Sequence, residues 1–114
     1  MITSATIASS ERRLIFGLGA TGQSVARWWR QQGVAFAALD TRAERADDAA
    51  AVADIDRDKA AFGDIDVAFV DHCTEMIVSP GVALDHPLIE RARGQGRRVR
   101  GDIDLFMDLS LIHI

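Results

Sequence analysis

Apolar residues in this chain alternate between short unbroken runs and stretches where they recur at helical spacing. The runs predict strands. RRLIFG (12–17) reads as a buried strand. VAFAALD (34–40) is a continuous apolar run ending in a carboxylate, the form of a central parallel strand. AAFGD (60–64) is a short strand, EMIVSPG (75–81) a strand ended by Pro80 and Gly81, and RRVRGD (97–102) a last strand. Between them lie the helical stretches. In TGQSVARWWRQQG (21–33), Val25, Trp28, Trp29 and Gln32 form a partly apolar stripe, with Gly33 as the stop. The alanine-rich AERADDAAAVADI (43–55) predicts one helix. DVAFVDHC (66–73) fits either period and is assigned a short helix begun by Asp64 or Asp66. HPLIERARGQG (86–96) carries Pro87 in its first turn, and DIDLFMDL (102–109) predicts a final helical turn or two.

Strand and helix thus alternate with short connections. The pattern predicts an α/β fold, an open parallel sheet of about five strands with flanking helices and right-handed crossovers. Such sheets bind ligands outside the carboxyl ends of their strands. Three places therefore warrant attention: 17–22, 40–42 and 79–81. Residues 1–11 read as a loose lead-in, 12–108 as one domain, and 109–114 as a tail.

Composition narrows the classes. The chain has 114 residues, enough for one modest core, with 48% hydrophobic and 26% charged residues. A net charge of -4 argues against nucleic acid as a partner. Arg91, Arg93, Arg97, Arg98 and Arg100 cluster, but Glu90, Asp102 and Asp104 flank them, so they read as a solvated helix end. Cys73 is the only cysteine, which excludes an internal disulfide and suits a reducing compartment. No secretory leader and no apolar run of about 20 residues is present, so a cytoplasmic chain without a membrane span is expected.

Little chemistry is offered elsewhere. His72, His86 and His113 lack metal-ligand spacing, so no metal site is expected, and Cys73 reads as a small buried side chain. Trp28 and Trp29 read as core with one contact residue. No nucleophile with a base and orienting acid is legible, so no catalytic residue is assigned. Lys59 is the only lysine and Ala60 follows it, so a G-x-x-x-x-G-K-[ST] phosphate loop is absent from this sequence.

The three strand ends remain. In GLGATG, Gly17 can make the tight turn, Gly19 lets a phosphate approach, and Gly22 lets the helix pack close. The amides at the helix start then face the anion, with Thr21 adding a hydroxyl. A glycine-rich turn without a ligand is the plain alternative. Asp40, Thr41 and Arg42 follow the second strand; the acid could hold ribose hydroxyls, or Asp40 or Thr41 could simply cap the next helix. Ser79, Pro80 and Gly81 give a rigid loop with one hydroxyl, and would be an ordinary turn if they stood alone.

Together, GLGATGQS, LDTR, VSPGVALDHP and GDIDLF resemble, in order and spacing, the N-terminal domain of the Mur ligases, from about Arg13 to Asp108. The resemblance is nearest to the member that adds D-glutamate to UDP-N-acetylmuramoyl-L-alanine in peptidoglycan precursor synthesis. It implies a Rossmann-like domain holding the UDP part of that substrate, a second domain binding ATP with magnesium, and a third closing over the site. It implies that Gly19, Ala20, Thr21 and Gly22 cradle the diphosphate. Asp40, Thr41 and Arg42 would line uracil and ribose, and Ser79, Pro80 and Gly81 would close the far wall. Ala20 departs from the bulkier residue often found at its position. The tail MDLSLIHI matches neither the family's linker nor its ATP loop. The expectation is a monomeric substrate-binding fragment of an amide-forming ligase, without its ATP-binding and C-terminal domains, inactive alone and holding no cofactor itself. The apolar tail residues Leu109, Leu111, Ile112 and Ile114 could promote association. The rival reading is an NAD(P)-binding domain of a dehydrogenase or sensor, which the glycines and Asp40 serve equally; a ligand-free α/β module is the third.

Overall fold

The computed structural model describes residues 12–101. The expected lead-in at 1–11, the helical turns at 102–109 and the tail at 109–114 lie outside the described residues. Five strands form one parallel sheet: β1 (Arg13–Phe16), β2 (Phe36–Asp40), β3 (Ala60–Phe62), β4 (Glu75–Val78) and β5 (Arg98–Gly101), in the order β3-β2-β1-β4-β5. The apolar runs of β1, β2 and β4 form strands whose side chains are covered on both sides, while β3 and β5 are the half-buried edges. Leu14 and Phe16 point to one face with Leu39, Met76 and Val78, while Ile15 points to the other with Ala38 and Ile77. Each fully buried large side chain contributes about 1.5–3 kcal/mol.

Helix α1 (Ala20–Gln31) lays Gly22, Val25, Ala26 and Trp29 against the Ile15 face. Its stripe includes Ala26, while Gln32, expected on the apolar side, is exposed beyond the helix end. Gly33 (φ +70) stops it, its amide donating to the Arg30 carbonyl at 3.2 Å. On the opposite face, α3 (Val67–Asp71) and α4 (Pro87–Gly94) contribute Val70, Ile89 and Ala92. Asp66, one of the two starts the sequence offered, begins α3 by accepting from the Ala68 amide at 2.9 Å.

The single helix expected over 43–55 is broken. A 3-10 turn spans Ala43–Asp47, Asp48 is extended (φ -83, ψ 107), and α2 covers only Ala49–Val52. The segment has few groups to bury beyond Ala51 and Ile55, so packing does not enforce a longer helix. Asp48 instead ties the break, accepting from the Arg45 guanidinium at 3.0 Å.

The arginine cluster is occupied within the fold. Arg91 of α4 makes two bonds to Asp71 of α3, at 2.6 and 2.8 Å. Arg97 donates to the Asp71 carbonyl, Arg98 to Glu75 and Arg93 to Glu90. These contacts tie α3, α4 and β5 together along one edge.

Candidate functional site

Sheet order places a crossover reversal at β1. The connection from β1 runs to β2 on one side, while β4 pairs on its other side, and a crevice opens above their carboxyl ends. The loops there are stitched together by hydrogen bonds. The Gly17 amide donates to the Leu39 carbonyl at 2.8 Å, and the Leu18 amide to Asp40 Oδ2 at 2.8 Å. From the other side, Ser79 Oγ donates to the Gly17 carbonyl at 2.7 Å, and the Ser79 amide to the Phe16 carbonyl at 3.0 Å.

The three motif glycines have different reasons to be there. Gly17 has φ +101, and a Cβ on it would lie 2.9 Å from Val82 Cγ2. A Cβ on Gly22 would collide with the Gly17 carbonyl oxygen, so the helix can cross the turn only without one. Gly19 stands apart. Its backbone is ordinary extended chain (φ -75, ψ -166), and a Cβ there would meet nothing within 4 Å. The fold itself does not require a glycine at 19.

Gly19 lines a cavity of about 260 Å³ with Asp40, Thr41, Arg42, Ser79, Pro80 and Gly81. Seven of the ten residues singled out from sequence thus border one space. Ala20, Thr21 and Gly22 do not line it; they form the first turn of α1 beside Gly19, and Gly22 faces Gly17 and Ser79. That turn has no side-chain cap, so its first amides and the helix dipole are available to an anion. The Ser79 side chain is buried at 4% exposure and its proton goes to Gly17, so its hydroxyl is not the free donor the sequence suggests.

Asp40 is 2% exposed and fully engaged. Besides Leu18, its carboxylate accepts from the Arg42 amide (2.8 Å), Arg42 Nε (2.9 Å) and Arg42 Nη2 (2.8 Å). Burial pushes its pKa up, but the Arg42 guanidinium and the Leu18 and Arg42 amides outweigh burial and hold it below the usual carboxylate range. The Arg42 side chain remains 47% exposed, so one side of the guanidinium is open at the rim.

His86 is a lining residue to which the sequence reading gave no role. Its Nδ1 accepts from the Leu88 amide at 3.1 Å, starting α4, and its ring meets Phe16 edge-on at 5.1 Å. The signal was available: a histidine directly before a proline at a helix start is placed to cap it. Val82 and Ala83 complete that wall.

A second cavity of about 320 Å³ lies at the opposite end of the sheet, where Arg13 pairs with Phe36, and is bordered by Leu14, Ala37, Phe69 and Cys73. Its open surface is mostly apolar, although Arg12, Arg13, Asp58, Lys59 and His72 are also among its lining. The strand-end crevice, where backbone donors and charged groups converge, is the better candidate. Among the described residues no group of three or more His, Cys, Asp or Glu gathers as a metal site would need, and no helix is long and apolar enough to cross a membrane.

Residues 11–101 match the family described as Mur ligase MurD-like, N-terminal domain. Two relatives are named UDP-N-acetylmuramoylalanine–D-glutamate ligase: one from Pseudomonas fluorescens, 39% identical over 100 residues, and one from Pseudomonas putida, 37% identical over 100 residues. A third so named, from Marinobacter nauticus, is 38% identical over 109 residues. The matches cover 88–90% of this chain but only 22–23% of those relatives' length.

Proposed function

Since this chain belongs to the MurD-like N-terminal domains of the Mur ligases, we propose that its strand-end crevice holds the UDP part of UDP-N-acetylmuramoyl-L-alanine, for an enzyme that joins D-glutamate to that substrate. The carrying observation is Gly19: a glycine the fold does not need, bordering open space beside an uncapped helix start. A diphosphate seated there meets the amides of the 19–22 turn without a side chain in its way. The Asp40–Arg42 corner faces uracil and ribose, and Ser79, Pro80 and Gly81 form the far wall.

What these residues do is bind and orient. The alanine carboxylate of the substrate would be presented outward, toward the ATP-binding and C-terminal domains of the full-length protein. ATP supplies the activation of that carboxylate as an acyl phosphate. In this reading ATP and its magnesium belong to the ATP-binding domain of the full-length protein. The chain acts as a monomer in the cytoplasm, with neither nucleic acid nor membrane as partner.

The dinucleotide alternative needs Asp40 to accept from ribose hydroxyls. Its four acceptor positions are already filled by Leu18 and Arg42, which leaves none for the ribose of either a dinucleotide or UDP.

Thermal unfolding of the 114-residue chain with UDP-N-acetylmuramoyl-L-alanine, UDP and NAD in parallel tests this. Binding to the folded state raises stability by RT ln(1 + [L]/Kd), so millimolar ligand reveals weak sites. A rise in Tm with both UDP compounds and none with NAD is expected. A rise with NAD alone, or with none of the three, overturns the reading.

A further inference from the structure

We propose that Asp40 is a positioning residue of this crevice rather than a ligand of it: its buried carboxylate fixes the Leu18 amide of the glycine turn and the Arg42 guanidinium, leaving the nucleoside to Thr41 and Arg42. The proposal deepens the UDP reading and rests on it for the identity of the ligand.

An ionised carboxylate offers about four acceptor positions. Here Oδ2 takes the Leu18 amide and Arg42 Nη2, each at 2.8 Å, and Oδ1 takes the Arg42 amide at 2.8 Å and Nε at 2.9 Å. No position is left for a ribose hydroxyl or a uracil N–H. With 2% exposure the group also has almost no surface to present. Its partners, in contrast, belong to two parts of the crevice at once. Leu18 sits in the turn that leads into the anion-binding helix start, 22 positions away in sequence. Arg42 stands at the rim with 47% of its side chain exposed, held by a two-pronged pair that fixes the plane of the guanidinium. Thr41 lies between them, exposed and lining the cavity. Asp40 therefore couples the phosphate end of the crevice to its nucleoside end.

The test is NMR on the full chain, free and saturated with UDP. The through-hydrogen-bond coupling between the Leu18 amide nitrogen and the Asp40 carboxyl carbon should be present in the free protein and persist with UDP bound. Its loss on UDP saturation means Asp40 turns to the ligand and overturns the proposal; so does its absence from the free protein. In Asp40→Asn, the Leu18 amide should exchange with solvent at least about tenfold faster relative to the Ile15 and Ile77 amides, which report global stability. A Leu18 rate that merely follows those two overturns the proposal. The coupling measurement needs no variant, so it decides even where Asp40→Asn does not fold. Should UDP not bind, the functional reading fails, while the free-protein coupling and the Leu18 exchange still decide what Asp40 holds.

Discussion

The Ser79 hydroxyl donates to the Gly17 carbonyl at 2.7 Å, across 62 positions of sequence, and so pins the end of β4 to the turn leaving β1. Gly17 has a positive φ, and its own amide and that of Leu18 are held to the β2 end, so the Ser79 hydroxyl and amide are what tie this turn to β4. Replacing Ser79 with alanine leaves a buried carbonyl short of a partner. A loss of about 1–3 kcal/mol is expected, read as a lower urea midpoint with an unchanged slope.

Gly22 and Gly19 should separate folding from binding. Gly22→Ala drives a methyl into the Gly17 carbonyl, and backbone must shift; a cost of at least about 2 kcal/mol is expected. Gly19→Ala meets no protein atom, so its stability should change by less than about 1 kcal/mol. Its UDP affinity should nevertheless fall at least about tenfold, a change of about 1.4 kcal/mol by calorimetry. Unchanged UDP affinity in Gly19→Ala would remove the observation on which the functional reading stands.

Asp40 and Asp71 make stability fall in acid. Both are held below their ordinary range in the folded state, Asp71 down to about 2 by its bonds from Arg91 and Gln95. In the unfolded chain they bind protons nearer pH 4, so below that point the unfolded state binds more. Their contribution is present above about pH 5 and is lost as pH falls through the acid range, for Asp71 down to about 2. Urea unfolding at a series of pH values should show that slope, flatter in Asp71→Asn. A curve identical in the variant would remove Asp71 as a source.

Cys73 should be a slow thiol. It is 3% exposed, and burial pushes its pKa up, outweighing the nearby Arg97. Reaction with a thiol reagent near neutral pH should lag far behind that of the urea-unfolded chain. Equal rates would place Cys73 at an accessible surface instead.

Much of this was legible before the structure. The apolar runs marked β1, β2 and β4, because strands buried on both sides leave no alternation to misread, while the edge strands β3 and β5 were read from their place in the strand–helix order. Gly33, Asp66 and Pro87 marked helix ends through local chemistry alone. The 43–55 segment was misread because alanine favours helix wherever packing is silent, and packing there is nearly silent. The crevice was located from its three strand ends, but the duties of its residues were not. Asp40 and Ser79 looked like free polar groups; Asp40 is filled by Leu18, 22 positions away, and by Arg42 two positions on, and Ser79 is engaged by Gly17, 62 positions away. His86 was passed over as a lone histidine, though its place before Pro87 carried the capping signal.

The β3-β2-β1-β4-β5 order has a thermodynamic consequence. The walls of the crevice come from strand ends that meet only once both halves of the sheet have docked on β1. No subset of the chain builds a partial version of it, since the Gly17 turn needs Leu39 from one half and Ser79 from the other. Occupancy of the crevice is therefore linked to the docking of both halves: a ligand seated there opposes any opening that parts β2 or β4 from β1, and a chain nicked between β3 and β4 must reassociate before it can bind at all.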